Sequence, residues 1–281
     1  MKIGYHYSSF YKEELEAWLL SHKIKYETLG GEFNPKCIYF TVWSTTKNCD
    51  VLLKELHDIA LLRPSACAYY SEKDLSVAPL LEIRPKSIKM CIENVDESFR
   101  YDCQWSYMAD QFEMHKAHHE EQIGTIMIAK EPPASTRTVF WGPDDGGRII
   151  FADKKVVDLV QRENLKGILF RDVLLKNRKP SERIFQMMAD YTIHHEEIVW
   201  GKGEKEDTCR MCGKKQYVLS NTYQLHLHAD PVYWEKDFFS TERIFGEGFA
   251  QPMYMISQRF YQLLKQNKYT SQVDFIPVIL D

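Results

Sequence analysis

Two stretches decide the fold of this chain: IFADKKVVDLV at residues 150–160 and YMISQRFYQLL at residues 254–264. Each begins with apolar residues, passes through Asp153 or Ser257, and continues with apolar residues at helical spacing. Asp and Ser are favoured helix N-caps because their side-chain oxygens accept hydrogen bonds from free backbone N–H groups. Each stretch therefore predicts a strand that leads directly into a capped amphipathic helix.

The two stretches belong to a longer internal repeat. Leu159 and Leu263 are 104 residues apart, and a second predicted strand follows each helix. The matched residues of that strand, at an offset of 105, are Phe170, Val173 and Leu175 with Phe275, Val278 and Leu280. The shared order, caps and offset favour duplication over convergence. We therefore predict two related α+β repeats, residues 86–179 and 180–281.

Residues 1–85 are predicted to form a separate α+β module. Strand and helix candidates follow one another there in the order β-α-β-β-α-β, which is typical of a small ferredoxin-like fold. Ser71–Asp74 has the pattern of a capping box, and Arg84–Lys86 is the predicted boundary to the first repeat. The basic segment Lys176–Pro180 is the predicted linker between the repeats.

Composition is typical of a soluble globular protein, with 44% hydrophobic and 27% charged residues. The net charge of −4 gives no electrostatic case for nucleic-acid binding, which usually requires a basic surface. The N-terminus lacks the apolar core of a signal peptide, and no apolar run approaches the length of a membrane span. Seven scattered cysteines favour reduced thiols. We therefore expect a cytoplasmic protein without membrane association.

The motif Cys209-Arg-Met-Cys212-Gly213 has the spacing of half a zinc site. The nearest further ligand candidates are His226 and His228, which would share one face of a strand. One structural zinc held by these four side chains is one interpretation. The other is a turn that retains two cysteines of an ancestral site, beside two histidines on a solvated strand face.

Two identical tetrapeptides, His118–Glu121 and His194–Glu197, raise a second metal hypothesis. On a helix, His115 and His119 would lie four residues apart on one face, and His118 would lie nearby. The metalloprotease pattern His-Glu-x-x-His is absent from the chain. Exposed polar helix ends are therefore the favoured interpretation of both tetrapeptides, and we assign no catalytic residue.

The C-terminal half resembles the double-CxxCG and related bacterial immunity-protein families. The resemblance covers roughly residues 86–281 and depends on the Cys209–Gly213 knuckle, the helix at 257–264 and the final strand at 273–278. It implies a small cytosolic protein that binds and blocks a cognate toxin, without catalysis. The chain departs from the pattern because its first repeat offers only Cys103 where a second knuckle is expected.

Three functional hypotheses follow. The first is a non-enzymatic protein-binding protein, of the immunity type, that neutralises a cognate bacterial toxin. The second is a metal-dependent enzyme that uses His115, His118 and His119 or the Cys209–His228 region. The third is a zinc-knuckle nucleic-acid binder. It would use the basic residues that flank the knuckle, Lys202, Lys205, Arg210, Lys214 and Lys215, but Glu204, Glu206 and Asp207 offset their charge.

Overall fold

A computed structural model describes residues 1–31, 34–60, 65–86, 92–94, 98–109, 112–133, 139–141, 149–200, 205–208, 215–218, 224–242, 244–245, 252–271 and 273–281. Its contacts divide these residues into an N-terminal unit within Met1–Asp74 and a C-terminal unit that begins at Leu75. Both units contain helices and strands, which confirms the predicted α+β class. No helix within the described ranges is long and apolar enough to cross a membrane.

The N-terminal unit has the predicted element order β-α-β-β-α-β. Its elements are β1 (Lys2–Phe10), α1 (Glu13–Ser21), β2 (Tyr26–Gly31), β3 (Asn34–Trp43), α2 (Cys49–Ala60) and β4 (Ser65–Tyr69). The four strands form one sheet in the order β2-β3-β1-β4, and each neighbouring pair is antiparallel. That the module is ferredoxin-like stays a prediction.

One face of this sheet carries the core of the N-terminal unit. Alternate residues of β1 and β3 are buried there against both helices, because successive side chains of a strand point to opposite faces. The buried residues of this cluster are Tyr7, Leu15, Leu19, Ile38, Phe40, Val42, Leu52 and Leu56. We call the opposite side of the sheet the open face. It carries Lys2, Gly4, His6, Ser8 and Phe10 of β1, Glu27 and Leu29 of β2, Cys37, Tyr39, Thr41 and Trp43 of β3, and Tyr69 of β4.

A short helix, α3 (Glu72–Val77), follows β4. The predicted capping box is present at its start: the Ser71 hydroxyl accepts from the Asp74 N–H at 3.2 Å, and the Asp74 carboxylate accepts from the Ser71 N–H at 2.8 Å. The later elements are β5 (Leu80–Pro85), β6 (Phe99–Ala109), β7 (Phe112–Gln122), β8 (Met127–Ile128), β9 (Val139–Trp141), β10 (Ile150–Asp153), α4 (Lys154–Arg162), β11 (Ile168–Leu175), β12 (Pro180–Ala189), β13 (Thr192–Ile193), a 3₁₀ helix (His195–Glu197), β14 (Lys205–Thr208), β15 (Lys215–Val218), β16 (His226–Leu227), α5 (Val232–Glu235), β17 (Phe238–Thr241), β18 (Tyr254–Ser257), α6 (Gln258–Gln266) and β19 (Val273–Leu280).

Two sheets of the C-terminal unit have matching strand orders. The first is β8-β11-β12-β10-β9, and the second is β16-β19-β5-β18-β17 with β13 added at its end. The short strand β8 is parallel to β11, as β16 is to β19, and the other matched pairs are antiparallel in both sheets. The predicted duplication would produce this correspondence, and the duplication itself stays a prediction. We call the two sheets, with their helices α4 and α6, the first and second copy.

The central strand of the second sheet, β5, precedes every strand of the first sheet in the chain. Gln186 of β12 pairs with Phe151 and Arg171, while Glu82 of β5 pairs with Met255 and Ile276. Glu82 and Gln186 are 104 residues apart, so β5 and β12 are the matched strands. Since β5 precedes the first copy and completes the second sheet, the two copies are joined by their topology as well as by packing.

The helices of both copies lie in one common core. Ile150, Ala152 and Leu159 of the first copy are buried in the same cluster as Ile256 and Phe260 of the second. Both predicted caps are observed: the Asp153 carboxylate accepts from the N–H groups of Lys155 and Val156, and the Ser257 hydroxyl accepts from that of Phe260. The strand that leads into each helix thus ends at its capping side chain.

Three local predictions need correction. Arg84 and Pro85, the predicted boundary, lie inside β5, because the strand is required in the second sheet. Of the predicted linker Lys176–Pro180, residues 176–179 form a tight turn between the paired strands β11 and β12, and Pro180 begins β12. The helix considered for His115–His119 is instead part of β7, which pairs with β6.

Candidate functional site

The cysteine motif lies between two paired strands. β14 and β15 form an antiparallel hairpin in which Thr208 is opposite Lys215. Cys209, Cys212 and Gly213 lie in the connection at 209–214, outside the described residues. The basic residues Lys202, Arg210 and Lys214 also lie outside them.

The two histidines proposed as further ligands lie on and beside β16. Leu225 and Leu227 are fully buried, whereas His226 is half-buried and His228 is exposed. This alternation confirms that the imidazoles share the face opposite the leucines. His226 Nδ1 lies 3.5 Å from the Asp281 carboxylate. Among the residues that the structure describes, no group of three His, Cys, Asp or Glu side chains could hold a metal ion.

A ring cluster fixes the hairpin to the 3₁₀ helix. His195 Nε2 lies 2.7 Å from the Tyr217 hydroxyl, and the Trp200 ring is stacked on Tyr217 with 3.8 Å between centroids. Tyr217 also donates to Glu206 at 3.2 Å, so both strands of the hairpin are engaged. Burial and the nearby Glu206 carboxylate raise the pKa of Tyr217, which keeps the phenol neutral at pH 7. The cluster therefore has a structural role.

The tetrapeptide His194–Glu197 is also structural. It was predicted as an exposed polar helix end, and it forms a single 3₁₀ turn. The Glu197 carboxylate accepts from the hydroxyls of Tyr191 and Tyr233, both at 2.9 Å, and from the His194 N–H at 2.6 Å. His194 is exposed, whereas His195 and Glu197 are half-buried. The side chains of these two residues contact Tyr217, Tyr191 and Tyr233.

The second tetrapeptide and its neighbours supply no described site. His115, His118 and His119 lie on β7, and only the backbone pairing of this strand is described. Cys103, the first-copy candidate for a knuckle, is opposite His119 in the same hairpin. Lys215, one of the basic residues considered for nucleic-acid contacts, forms an exposed ion pair with Glu206 at 2.9 Å.

A cleft of about 910 Å³ lies in the C-terminal unit beside α5 and the start of α6. Its buried carboxylate, Asp237, accepts from the Ser257 hydroxyl at 2.6 Å and from the Lys166 N–H at 2.9 Å. Lys236, on its wall, is 2.7 Å from Asp190. The Asp237 and Lys236 charges are thus both engaged within the protein.

The open face of the N-terminal unit presents a different kind of surface. Phe10 is 67% exposed, Leu29 57%, Tyr39 39% and Tyr69 38%. These side chains come from all four strands of the sheet. Phe10 and Leu29 lie on either side of Cys37, and Tyr39 is the next residue of β3 on this face, whereas Tyr69 lies opposite Lys2 at the other end of β1. A group of large exposed apolar side chains such as the first three is uncommon in monomeric proteins and indicates an interaction surface.

Three rings meet near one end of the open face. Trp43 and Tyr69 are in edge contact at 5.0 Å between centroids, and His6 lies 5.9 Å from Tyr69. The His6 ring is held on both sides, with Nδ1 2.9 Å from the Thr41 hydroxyl and Nε2 2.7 Å from that of Tyr69. A Cβ on Gly4 would lie 2.9 Å from both the Trp43 and Tyr69 rings, so a larger residue would force these rings to shift.

The sequence interpretation missed this surface. Its signal was present in Ile38–Trp43, where apolar or aromatic residues occupy both faces of a predicted strand. A strand with only one buried face usually alternates between apolar and polar residues. The described helices cover one face alone, and the aromatic residues of the other remain accessible.

Comparison with known proteins gave no match: no family model, curated protein or solved structure is similar to this chain. Function is therefore argued from the described surfaces.

Proposed function

We propose that this is a non-enzymatic protein-binding protein that binds its partner through the open face of the N-terminal sheet. The observation that carries the proposal is the accessible set of Phe10, Leu29, Tyr39 and Tyr69 on one side of a regular sheet. Aromatic residues are enriched in protein interfaces because they bury a large area with few rotatable bonds.

The opposite side of the same unit supports the assignment of the face. Both helices pack there, so the sheet already buries its core side chains against α1 and α2. The exposed aromatic residues Phe10, Tyr39 and Tyr69 lie on the open face instead. A stable complex needs about 1,200–2,000 Å² of buried surface in total. A four-stranded sheet of this length offers a surface of the required order.

The partner class that we propose is a bacterial toxin, which makes the protein an immunity protein of the cytoplasm. The resemblance to the double-CxxCG families supports this finer proposal, as does the duplication in the C-terminal unit. The slightly acidic chain, with a net charge of −4, is compatible with a basic toxin domain.

The product of the adjacent gene is the partner to test. Mixing it with the full chain is expected to give a complex in size-exclusion chromatography, and co-expression is expected to relieve its toxicity. Changing Phe10→Ser together with Leu29→Ser is expected to weaken the complex at least tenfold, since each buried side chain contributes about 1.5–3 kcal/mol. The matched control is Leu20→Ser with Val51→Ser, because these residues are equally exposed but lie on the helices. No complex and no relief of toxicity would refute the proposal.

A second candidate function is the binding of one structural zinc ion. The observation that favours it is the antiparallel hairpin on either side of the Cys209–Cys212 segment, together with two histidines opposite the buried leucines. Metal analysis of protein purified without added zinc tests it. One zinc per chain is expected, and it should be lost in the variant Cys209→Ser with Cys212→Ser. Wild-type protein that contains no zinc and is no more stable than the cysteine variant would contradict this function.

A further inference from the structure

A cation already sits on the open face. The Lys2 ammonium lies over the Trp43 ring, 4.1 Å from its centroid. An aromatic ring attracts a cation at its face because its quadrupole concentrates negative potential there, and tryptophan is the strongest of the aromatic side chains in this respect. Lys2 is exposed and is the first residue of β1, so its side chain is free to leave the ring.

The surroundings hold the ring in a fixed position. Tyr69 packs against its edge at an interplanar angle of 70°, and His6 approaches at 76°. Gly4 lies beneath the Trp43 and Tyr69 rings, so close that a Cβ there would require these rings to move. The His6 ring is itself fixed by hydrogen bonds to Thr41 and Tyr69. Trp43 is therefore a pre-organised aromatic platform, and little conformational entropy is lost when a ligand binds to it.

We propose that the Trp43 platform is a cation-binding subsite of the open face, which receives a lysine or other ammonium side chain of the protein partner in place of Lys2. This proposal rests on the proposed function, since it names the chemistry that the partner presents. The apolar residues Phe10, Leu29 and Tyr39 would then supply contact area, and the platform would select a partner with a correctly placed cation.

Lys2 acts as a resident competitor in this arrangement. Its ammonium contacts the face of the Trp43 ring when the partner is absent. A cation of the partner must therefore displace the Lys2 ammonium. Removing Lys2 should therefore strengthen the binding of an external cation. The attraction of a cation to an exposed ring corresponds to about a two- to fivefold change in affinity.

Titration of the full chain with tetramethylammonium chloride tests the subsite without any partner. The indole N–H signals are followed by NMR, sodium chloride at equal concentration serves as the ionic-strength control, and Trp43→Phe identifies the Trp43 signal. The Trp43 signal should move, and in Lys2→Ala it should reach half-saturation at about two- to fivefold lower concentration. Trp234, which is 68% exposed in the C-terminal unit, is the matched control and should not respond.

Two results would overturn the proposal: equal titration of the wild type and Lys2→Ala, or parallel movement of the Trp43 and Trp234 signals. Both titrations are made on chains that keep the Trp43 ring, and Trp43→Phe serves only to assign its signal. Failure of the subsite also differs from failure of the proposed function. If the open-face variants abolish the complex while tetramethylammonium leaves Trp43 unaffected, the partner binds there without a cation on the platform.

Discussion

The first and second copies of the C-terminal unit have the same framework but different polar side chains on it. The central strand carries Gln186 in the first sheet and Glu82 in the second, at matched positions. Gln186 exchanges two amide hydrogen bonds with Gln122, whereas Glu82 is bound by Arg84 through both carboxylate oxygens. The apolar positions that build the sheets are shared, whereas the buried polar residue of the central strand differs between the copies.

The parallel strands at the sheet edges show the same division. Ile126 and Ile128 in the first copy are buried like Leu225 and Leu227 in the second. The residue between them is Met127 in the first copy and His226 in the second. Burial thus preserves the apolar positions while the accessible position changes. This comparison teaches that the histidine pair belongs to the second copy alone and is not required by the fold.

The largest expected effect tests the common core. Phe260 of α6 and Val156 of α4 are matched by the 104-residue offset, and both are fully buried in one cluster. Phe260→Ala should lower the free energy of unfolding of the C-terminal unit by about 3–5 kcal/mol through lost burial and a cavity.

Val156→Ala is the matched change in the first copy and should cost only about 2 kcal/mol, because fewer methyl groups are removed. Chemical denaturation should show one shared transition that shifts with either change. Two separate transitions, each sensitive to one variant, would mean that the copies unfold independently.

The next effect distinguishes the two central polar residues. The Glu82 side chain is only 4% exposed and Arg84 is its ion-pair partner at 2.6 Å. Arg84→Ala should cost about 3 kcal/mol, because it leaves a buried carboxylate without its counter-ion. Glu82→Gln should cost less than about 1 kcal/mol, since the neutral amide can reside at the matched position of the first copy.

The double variant Glu82→Gln with Arg84→Ala gives the sharper measurement. Its free energy of unfolding, obtained from urea denaturation, should exceed that of Arg84→Ala alone. Equal stability of the two would show that the buried charge is not the source of the loss.

The helix caps predict a smaller effect that depends on pH. Asp153→Ala should cost about 1 kcal/mol, because it removes the acceptor for two N–H groups at a helix start. Ser257→Ala should cost more, because the Ser257 hydroxyl also donates to the buried Asp237 carboxylate. Burial raises the pKa of Asp153 above its ordinary value of 3.8, although its backbone hydrogen bonds and the neighbouring Lys155 and Arg183 oppose this. Because the pKa of Asp153 is raised in the folded state, protonation of this side chain favours folding. The resulting stabilisation is fully present below pH 3.8 and is lost as the pH rises through the raised pKa.

The matched substitution Asp153→Asn removes this titration. The difference in unfolding free energy between wild type and Asp153→Asn should therefore change across that pH window. A constant difference would contradict the raised pKa.

The caps and periodic helices were predictable because their signals are local. Asp153 and Ser257 each precede an apolar 3.6-residue pattern, and the structure has a helix at both places. The pairing of β5 with β18 and β19 was not predictable from local signals. Arg84 and Pro85 look like a boundary when only neighbouring residues are considered, yet the strand pairs with Met255 and Ile276, which are far away in the chain. Long-range pairing and the choice of which sheet face stays open depend on tertiary packing.

The smallest expected effect concerns an ion pair for which the first copy shows no described equivalent. His194 Nδ1 lies 3.0 Å from the Glu242 carboxylate, and this hydrogen bond, with the nearby negative charges, raises the pKa of His194 above 6.5.

Since the pKa of His194 is raised in the folded state, the stabilisation by this ion pair is complete below pH 6.5 and is lost as the pH rises through the raised pKa. Both side chains are accessible, and solvent screening limits the effect to a few tenths of a kcal/mol. His194→Asn should remove a small decline in thermal stability between pH 6 and pH 8, measured against the wild type under the same conditions. An unchanged pH profile in His194→Asn would show that this pair contributes nothing to the difference between the copies.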